Sequence, residues 1–179
     1  MTRVFVSIPV GNASGLEPLY RDLSGKRGVR TSPKFQLHIT LCFIGEIPEE
    51  KVEEVGEIVS LSVKGIKPGR ITLKGAGCFP NPKRPRIVFA GIETDIPLVQ
   101  LASEIRRRLS SAGIPYDEKP FKPHITVGRV QGPADLSMIV SKYRTTEFAT
   151  FLANDVMVMG SELTPEGARH TILKCCELR

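Results

Sequence analysis

The chain contains no tryptophan and only three histidines among 179 residues, so each imidazole can be weighed individually. No apolar run approaches the ~18 residues that a membrane-spanning helix needs, which argues against a helical membrane protein. The apolar opening, Thr2–Val10, is broken by Ser7 and Pro9. It makes a poor secretory signal and a good buried strand, so a cytoplasmic protein is expected. Four cysteines (Cys42, Cys78, Cys175 and Cys176) show no CxxC spacing. In a strand, the adjacent pair would point to opposite faces and could not grip one metal. Reduced structural thiols and no metal site are the expectation.

Positive charge is in excess: 25 Lys and Arg against 19 Asp and Glu give a net +6. That favours a polyanionic partner without requiring one. Arg106, Arg107 and Arg108 fall on consecutive helical positions, which spread around the circumference and read as a solvated face. Lys83, Arg84 and Arg86 cluster where Pro80, Pro82 and Pro85 make a rigid projecting loop, a common place for binding residues.

Apolar alternation or short apolar runs predict strands over Arg3–Val10, Gln36–Ile44, Arg70–Cys78, Arg86–Ile92, His124–Val130, Thr146–Leu152, Val156–Glu162 and Arg169–Cys176. Between them, Leu98, Leu101, Ala102, Ile105 and Leu109 form a helical stripe with Asp95 as a candidate cap and Gly113 as the stop. A second helix is predicted over Pro48–Leu61, and shorter ones over Leu16–Leu23 and Asp135–Tyr143. Adjacent strand pairs are too many for a purely parallel sheet, so the class is α+β. No linker divides the chain, and residues 1–179 are expected to form a single domain.

The feature that points to chemistry is a repeat. Phe35-Gln36-Leu37-His38-Ile39-Thr40-Leu41 is echoed by Phe121-Lys122-Pro123-His124-Ile125-Thr126-Val127. In a strand, period two puts His38 with Thr40 on one face and Ile39 with Leu41 on the other, and the same holds for His124 and Thr126. Cys42 and Gly128 would continue the polar face with little bulk. Two such strands brought together would set two imidazoles and two hydroxyls around one pocket. That set suits metal-free acid–base attack on a phosphodiester. One neutral ring takes a proton, the other donates one, and the hydroxyls hold phosphate oxygens. One histidine before Ile-Thr is more often structural, but chance does not explain the shared Phe. His170 has no such context and reads as structural.

The paired His-x-Thr motifs, about ninety residues apart, resemble those of the two-histidine (2H) phosphoesterase superfamily. Leu37–Glu46 and Pro123–Val130 are similar to segments of its RNA 2′,3′-cyclic phosphodiesterases, also called RNA 2′-5′ ligases. Arg3-Val4-Phe5, Gly77-Cys78-Phe79-Pro80, Pro85–Gly91, Ser161–Pro165 and Gly167-Ala168 extend the likeness over essentially the whole chain. The resemblance implies a bilobal α+β fold, two pseudo-symmetric lobes whose antiparallel sheets flank a central cleft. It implies opening of a terminal 2′,3′-cyclic phosphate on RNA, tRNA fragments included, to a 2′-phosphomonoester, with no cofactor or metal. By position, His38 would be the proton donor and His124 the acceptor, with Thr40 and Thr126 binding phosphate. Arg129 matches an arginine that commonly follows the second motif, yet strict alternation turns it away from His124 unless Gly128 permits a bulge or the strand ends there. Phe89 stands where relatives usually carry Trp, as a base platform or as core. RNA 2′-5′ ligation of tRNA halves and non-catalytic binding of RNA ends are the alternative functions. A monomer with no membrane partner is expected.

Overall fold

A computed structural model describes all residues, 1–179. Nine strands and four α-helices alternate along the chain: β1 (Thr2–Pro9), α1 (Glu17–Ser24), β2 (Val29–Thr31), β3 (His38–Ile47), α2 (Val52–Ser62), β4 (Gly69–Phe79), β5 (Ile87–Thr94), α3 (Leu98–Ser111), β6 (His124–Val130), α4 (Ser137–Lys142), β7 (Glu147–Ala153), β8 (Asp155–Thr164) and β9 (Gly167–Glu177). They form two antiparallel sheets, one ordered β3-β1-β8-β9 and the other β2-β6-β5-β4-β7. The α+β class, the two antiparallel sheets and every predicted strand are thus present. No helix is long and apolar enough to cross a membrane.

Each helix forms where its apolar stripe has a surface to cover. On α3, Leu98, Leu101, Ala102, Ile105 and Leu109 are all buried, the i, i+3, i+4 face that the spacing demands. The end of α3 depends on Gly113, whose φ of +69° suits a residue without Cβ. There the Gly113 N–H donates to the Ser110 carbonyl at 3.0 Å and the Ile114 N–H to the Leu109 carbonyl at 2.9 Å, and Ile114 is buried against the helix end. Asp95 does not cap this helix: the Ile96 N–H donates instead to Thr94 Oγ1 at 3.1 Å. The Pro48 start of the second predicted helix is a 3-10 turn at Glu49–Lys51, because Pro48 itself lies extended at ψ 144°.

Beneath both sheets lies one contiguous cluster of 40 buried residues. It includes Ile39 and Leu41 behind His38, and Ile125 and Val127 behind His124. Burying these aliphatic side chains contributes about 1.5–3 kcal/mol each. The same burial therefore fixes which way each histidine points, since slipping either strand by one residue would put the imidazole in the core.

The short strand β2 escapes sequence reading, because three residues carry no legible alternation. It pairs with β6 and sets Arg30 opposite Arg129. The arginine triplet on α3 is also more than a solvated face. Arg107 and Arg108 both donate to Glu104, whereas Arg106 reaches over to the Lys119 carbonyl at 2.8 Å.

Candidate active site

The edge strand β3 of one sheet and β6 of the other lie against each other. Between the sheets is a cleft of about 610 Å3. His38, Thr40, His124, Thr126 and Arg129 all line it. The five residues singled out by sequence are therefore brought together from segments more than eighty positions apart.

Both histidines are held in the same way. His38 Nδ1 lies 2.7 Å from the Gln36 carbonyl oxygen, two residues back along the chain. His124 Nδ1 lies 2.5 Å from the Lys122 carbonyl oxygen, again two residues back. A carbonyl only accepts, so in each ring Nδ1 carries the proton and donates it. Nε2 is left as the nitrogen available for proton transfer. Residue i−2 sets the tautomer in both copies, a correspondence beyond the shared letters.

The repeat also hides a shared irregularity. Along β3, Thr40 pairs with Ser7 and Cys42 with Val6, so Leu41 is an extra residue. Along β6, Thr126 pairs with Phe89 and Gly128 with Val88, so Val127 is extra. Each strand carries a bulge directly after its Thr, and a bulge shifts the alternation by one. Cys42 and Gly128 therefore do not continue the polar face; both are buried. Phe43 and Arg129 take that place and line the cleft. Arg129 thus shares a face with His124, as the bulge at Gly128 allows. The opposite Cβ space is tight: a Cβ on Gly128 would stand 3.2 Å from the Arg30 carbonyl oxygen.

Aromatic rings brace each imidazole. Phe5 lies 4.9 Å from the His38 ring, and Phe43 stacks on Phe5 at 6.0 Å. Around His124, Phe79 stands edge-on at 5.1 Å and Phe89 at 5.7 Å. Phe89 stacks on Phe79 at 4.4 Å, so it belongs to the wall that supports His124. The shared Phe of the repeat does not keep one role: Phe121 packs against the core, whereas Phe35 is 87% exposed.

His170, structural by its sequence context, lines the same cleft. Its ring is 5.0 Å from Phe5 and 5.5 Å from His38, edge-on to both. His170 lies on β9, three strands from β3; in a flat sheet that separation would be ~14 Å. Curling of the sheet brings the two rings together over Phe5, and no sequence pattern encodes it. Arg3, Asp117 and Ser161 also line the cleft without any motif to mark them. Asp117 is held there by its backbone N–H, which donates to the Phe43 carbonyl at 2.8 Å.

The electrostatics follow from this crowding. Burial pulls the His38 pKa below 6.5, the Gln36 carbonyl opposes that shift, and positive charge on His170 or His124 adds to it. Burial also lowers the His170 pKa. Nowhere do three or more His, Cys, Asp or Glu side chains gather in a metal-binding arrangement. All four thiols are unpaired, and burial raises those of Cys42 and Cys78 to about 11.

Paired His-x-Thr strands facing one another across a cleft between two antiparallel sheets define a class. The profile of the 2′-5′ RNA ligase superfamily matches residues 16–164, and the chain belongs to that family, the two-histidine phosphoesterases its motifs resemble. It is 36% identical over 178 residues to an RNA 2′,3′-cyclic phosphodiesterase of Archaeoglobus fulgidus, covering 98% of this chain and 99% of that one. Another protein of the same name, from Aquifex aeolicus, is 36% identical over 143 residues and covers 77% of this chain and 76% of its own. A crystal structure from Thermus thermophilus superposes with a TM-score of 0.82 at 30% identity, covering 99% of this chain and 98% of the other.

Proposed function

We propose that this protein is an RNA 2′,3′-cyclic phosphodiesterase that opens a terminal cyclic phosphate to a 2′-phosphomonoester. The observation that carries this reading is the matched pair of imidazoles, each with Nδ1 tied to its own i−2 carbonyl, lining one cleft with a Thr hydroxyl apiece. Its relatives' shared name points the same way.

In this mechanism His124 Nε2 takes a proton from water as the oxygen attacks phosphorus. The bond from phosphorus to the 3′ oxygen breaks, and His38 Nε2 supplies the proton that the departing oxygen needs. The rings end with their protonation states exchanged, and solvent restores them. Thr40 and Thr126 donate to the non-bridging oxygens, and the Arg129 guanidinium balances their charge. Each positioned acid or base is worth ~10²–10⁴ in rate. His38 begins with a depressed pKa, so the arriving phosphate anion, which favours imidazolium, charges it on binding. Water at ~55 M reaches an open cleft ahead of any second RNA strand that is not held tightly, so hydrolysis outruns 2′-5′ ligation. The whole chain acts as one bilobal unit, a monomer in the cytoplasm, on RNA ends that include tRNA fragments.

The test is product identification from an oligonucleotide ending in a 2′,3′-cyclic phosphate. A 2′-phosphate end is expected from the wild type, at a rate ~10²–10⁴ lower in His38→Ala or His124→Ala. A 3′-phosphate product, or full activity in either variant, overturns the reading. Adding a 5′-hydroxyl RNA to the same reaction measures ligation directly.

A further inference from the structure

The cleft does not end at the phosphate pocket. Beyond Arg129 it opens into a groove of about 730 Å3 that shares Ser32, Gln36, Arg129 and Ala168 with it. Arg30 and Arg169 line the groove, one from each sheet. Arg30 and Arg129 are direct cross-strand partners on β2 and β6, a like-charge pairing that costs stability. Neither they nor Arg169 takes part in any ion pair. Two carboxylates are near in register or on the rim: Glu162 stands opposite Arg169 across β8 and β9, and Glu166 lines the groove. Neither forms a bridge within 4.0 Å of an arginine.

Three exposed guanidinium groups without partners, set along a channel that starts at the phosphate pocket, form a track for successive anions. Phe35 gives the track its second half. Its ring is 87% exposed and lies on the boundary between this groove and an apolar hollow of about 410 Å3 beside His38. Met157, Met159 and Ile172 line that hollow. An aromatic ring left in water beside a row of cations is the combination by which single-stranded nucleic acid is held without sequence readout.

We infer that Arg30 and Arg169 hold the phosphodiesters that precede the terminal cyclic phosphate and that Phe35 stacks on a base of that segment, so that the groove is a subsite for the RNA upstream of the reacting end. This inference rests on the proposed activity for its assay and deepens it by naming residues outside the phosphate pocket that hold the rest of the strand.

The experiment compares kcat/KM for a 2′,3′-cyclic mononucleotide and for di- and tetranucleotides with the same end, in wild type, R30A/R169A and F35A. The wild type should favour the tetranucleotide over the mononucleotide by about ten-fold or more, through KM. R30A/R169A should lose that preference while keeping the mononucleotide rate, and F35A should lose part of it. The slope of log KM against log salt should flatten by ~0.7 for each phosphate contact removed. Equal wild-type efficiency on all three substrates overturns the inference, as does a double variant that loses mononucleotide and tetranucleotide turnover in equal proportion. Fluorescence anisotropy of a labelled tetranucleotide with a 2′-phosphate end separates the two readings. Weaker binding by R30A/R169A supports the groove even if no cyclic phosphate is turned over, and unchanged binding rejects it even if hydrolysis is confirmed.

Discussion

At the scale of single residues, the roles proposed for the two imidazoles differ, and the difference can be measured. A leaving group that needs no proton makes the donor dispensable. His38→Ala should therefore lose ~10²–10⁴ in kcat on a ribose cyclic phosphate but far less on an aryl phosphodiester with an acidic phenol. His124→Ala should be impaired on both, and the reverse pattern would exchange the two roles. Thr40→Val or Thr126→Val removes one donor from the phosphate oxygens and should cost about 10²-fold in kcat. The histidines also bear on stability. Burial lowers both the His38 and His170 pKa values, so between the folded and unfolded pKa values the unfolded chain binds more protons. By linkage, stability present above pH ~6.5 is lost as the pH falls through that window. Urea midpoints of the ligand-free protein should drop between pH 7 and pH 5, and His170→Gln should drop less. The same variant removes a positive neighbour of His38, and since His38 acts as the proton donor it should shift the alkaline limb of the pH–rate profile, where that proton is lost, upward.

At the scale of elements, two bulges decide what faces the cleft. The extra residue after each Thr buries Cys42 and Gly128 and turns Phe43 and Arg129 into the cleft. Strict alternation predicts the reverse, and only pairing with β1 and β5 reveals the shift. The strands themselves are legible because their apolar faces are continuous: Ile39 and Leu41, then Ile125 and Val127, are all buried as the alternation requires. The wall behind His124 offers a test at this scale. A Cβ on Gly77 of β4 would lie 2.4 Å from the Phe89 ring. Phe89 in turn stacks on Phe79, and both rings brace His124. Gly77→Ala should therefore displace the brace and lower kcat by about 10–10²-fold. KM for a cyclic mononucleotide should change much less, since Thr40, Thr126 and Arg129 are untouched. An unaltered kcat would mean that Phe89 moves aside without carrying His124 with it.

At the scale of the whole molecule, catalysis requires two sheets held in fixed relation. One cluster of 40 buried residues runs beneath both of them, and β3 meets β6 directly. Unfolding should therefore be a single transition, with loss of activity and of far-ultraviolet circular dichroism coinciding along a urea titration. An activity loss that precedes the spectroscopic change would show the lobes separating first. The net charge of +6 also acts at this scale, since it draws a polyanion toward the molecule before any contact forms. Its distribution matters more than its sum. Arg106, Arg107 and Arg108 are largely engaged within the chain, whereas Arg30, Arg129 and Arg169 stand free beside the cleft.

Some of this was decided by local chemistry alone. Hydrophobic period set the strands and helices, and the repeated His-Ile-Thr specified which side chains face away from the core, because burying Ile, Leu and Val leaves the imidazoles no other side. The repeat also named His38, Thr40, His124 and Thr126 of the cleft, since in both strands the His-to-Thr spacing lies ahead of the bulge. What sequence could not decide depends on pairing and curvature between distant segments. The bulges arise from register against β1 and β5, the approach of His170 to His38 from the curl of a four-stranded sheet, and the arginine track from a three-residue strand with too little pattern to read. Each is a property of which strands lie side by side, and that is settled only when the chain closes its core.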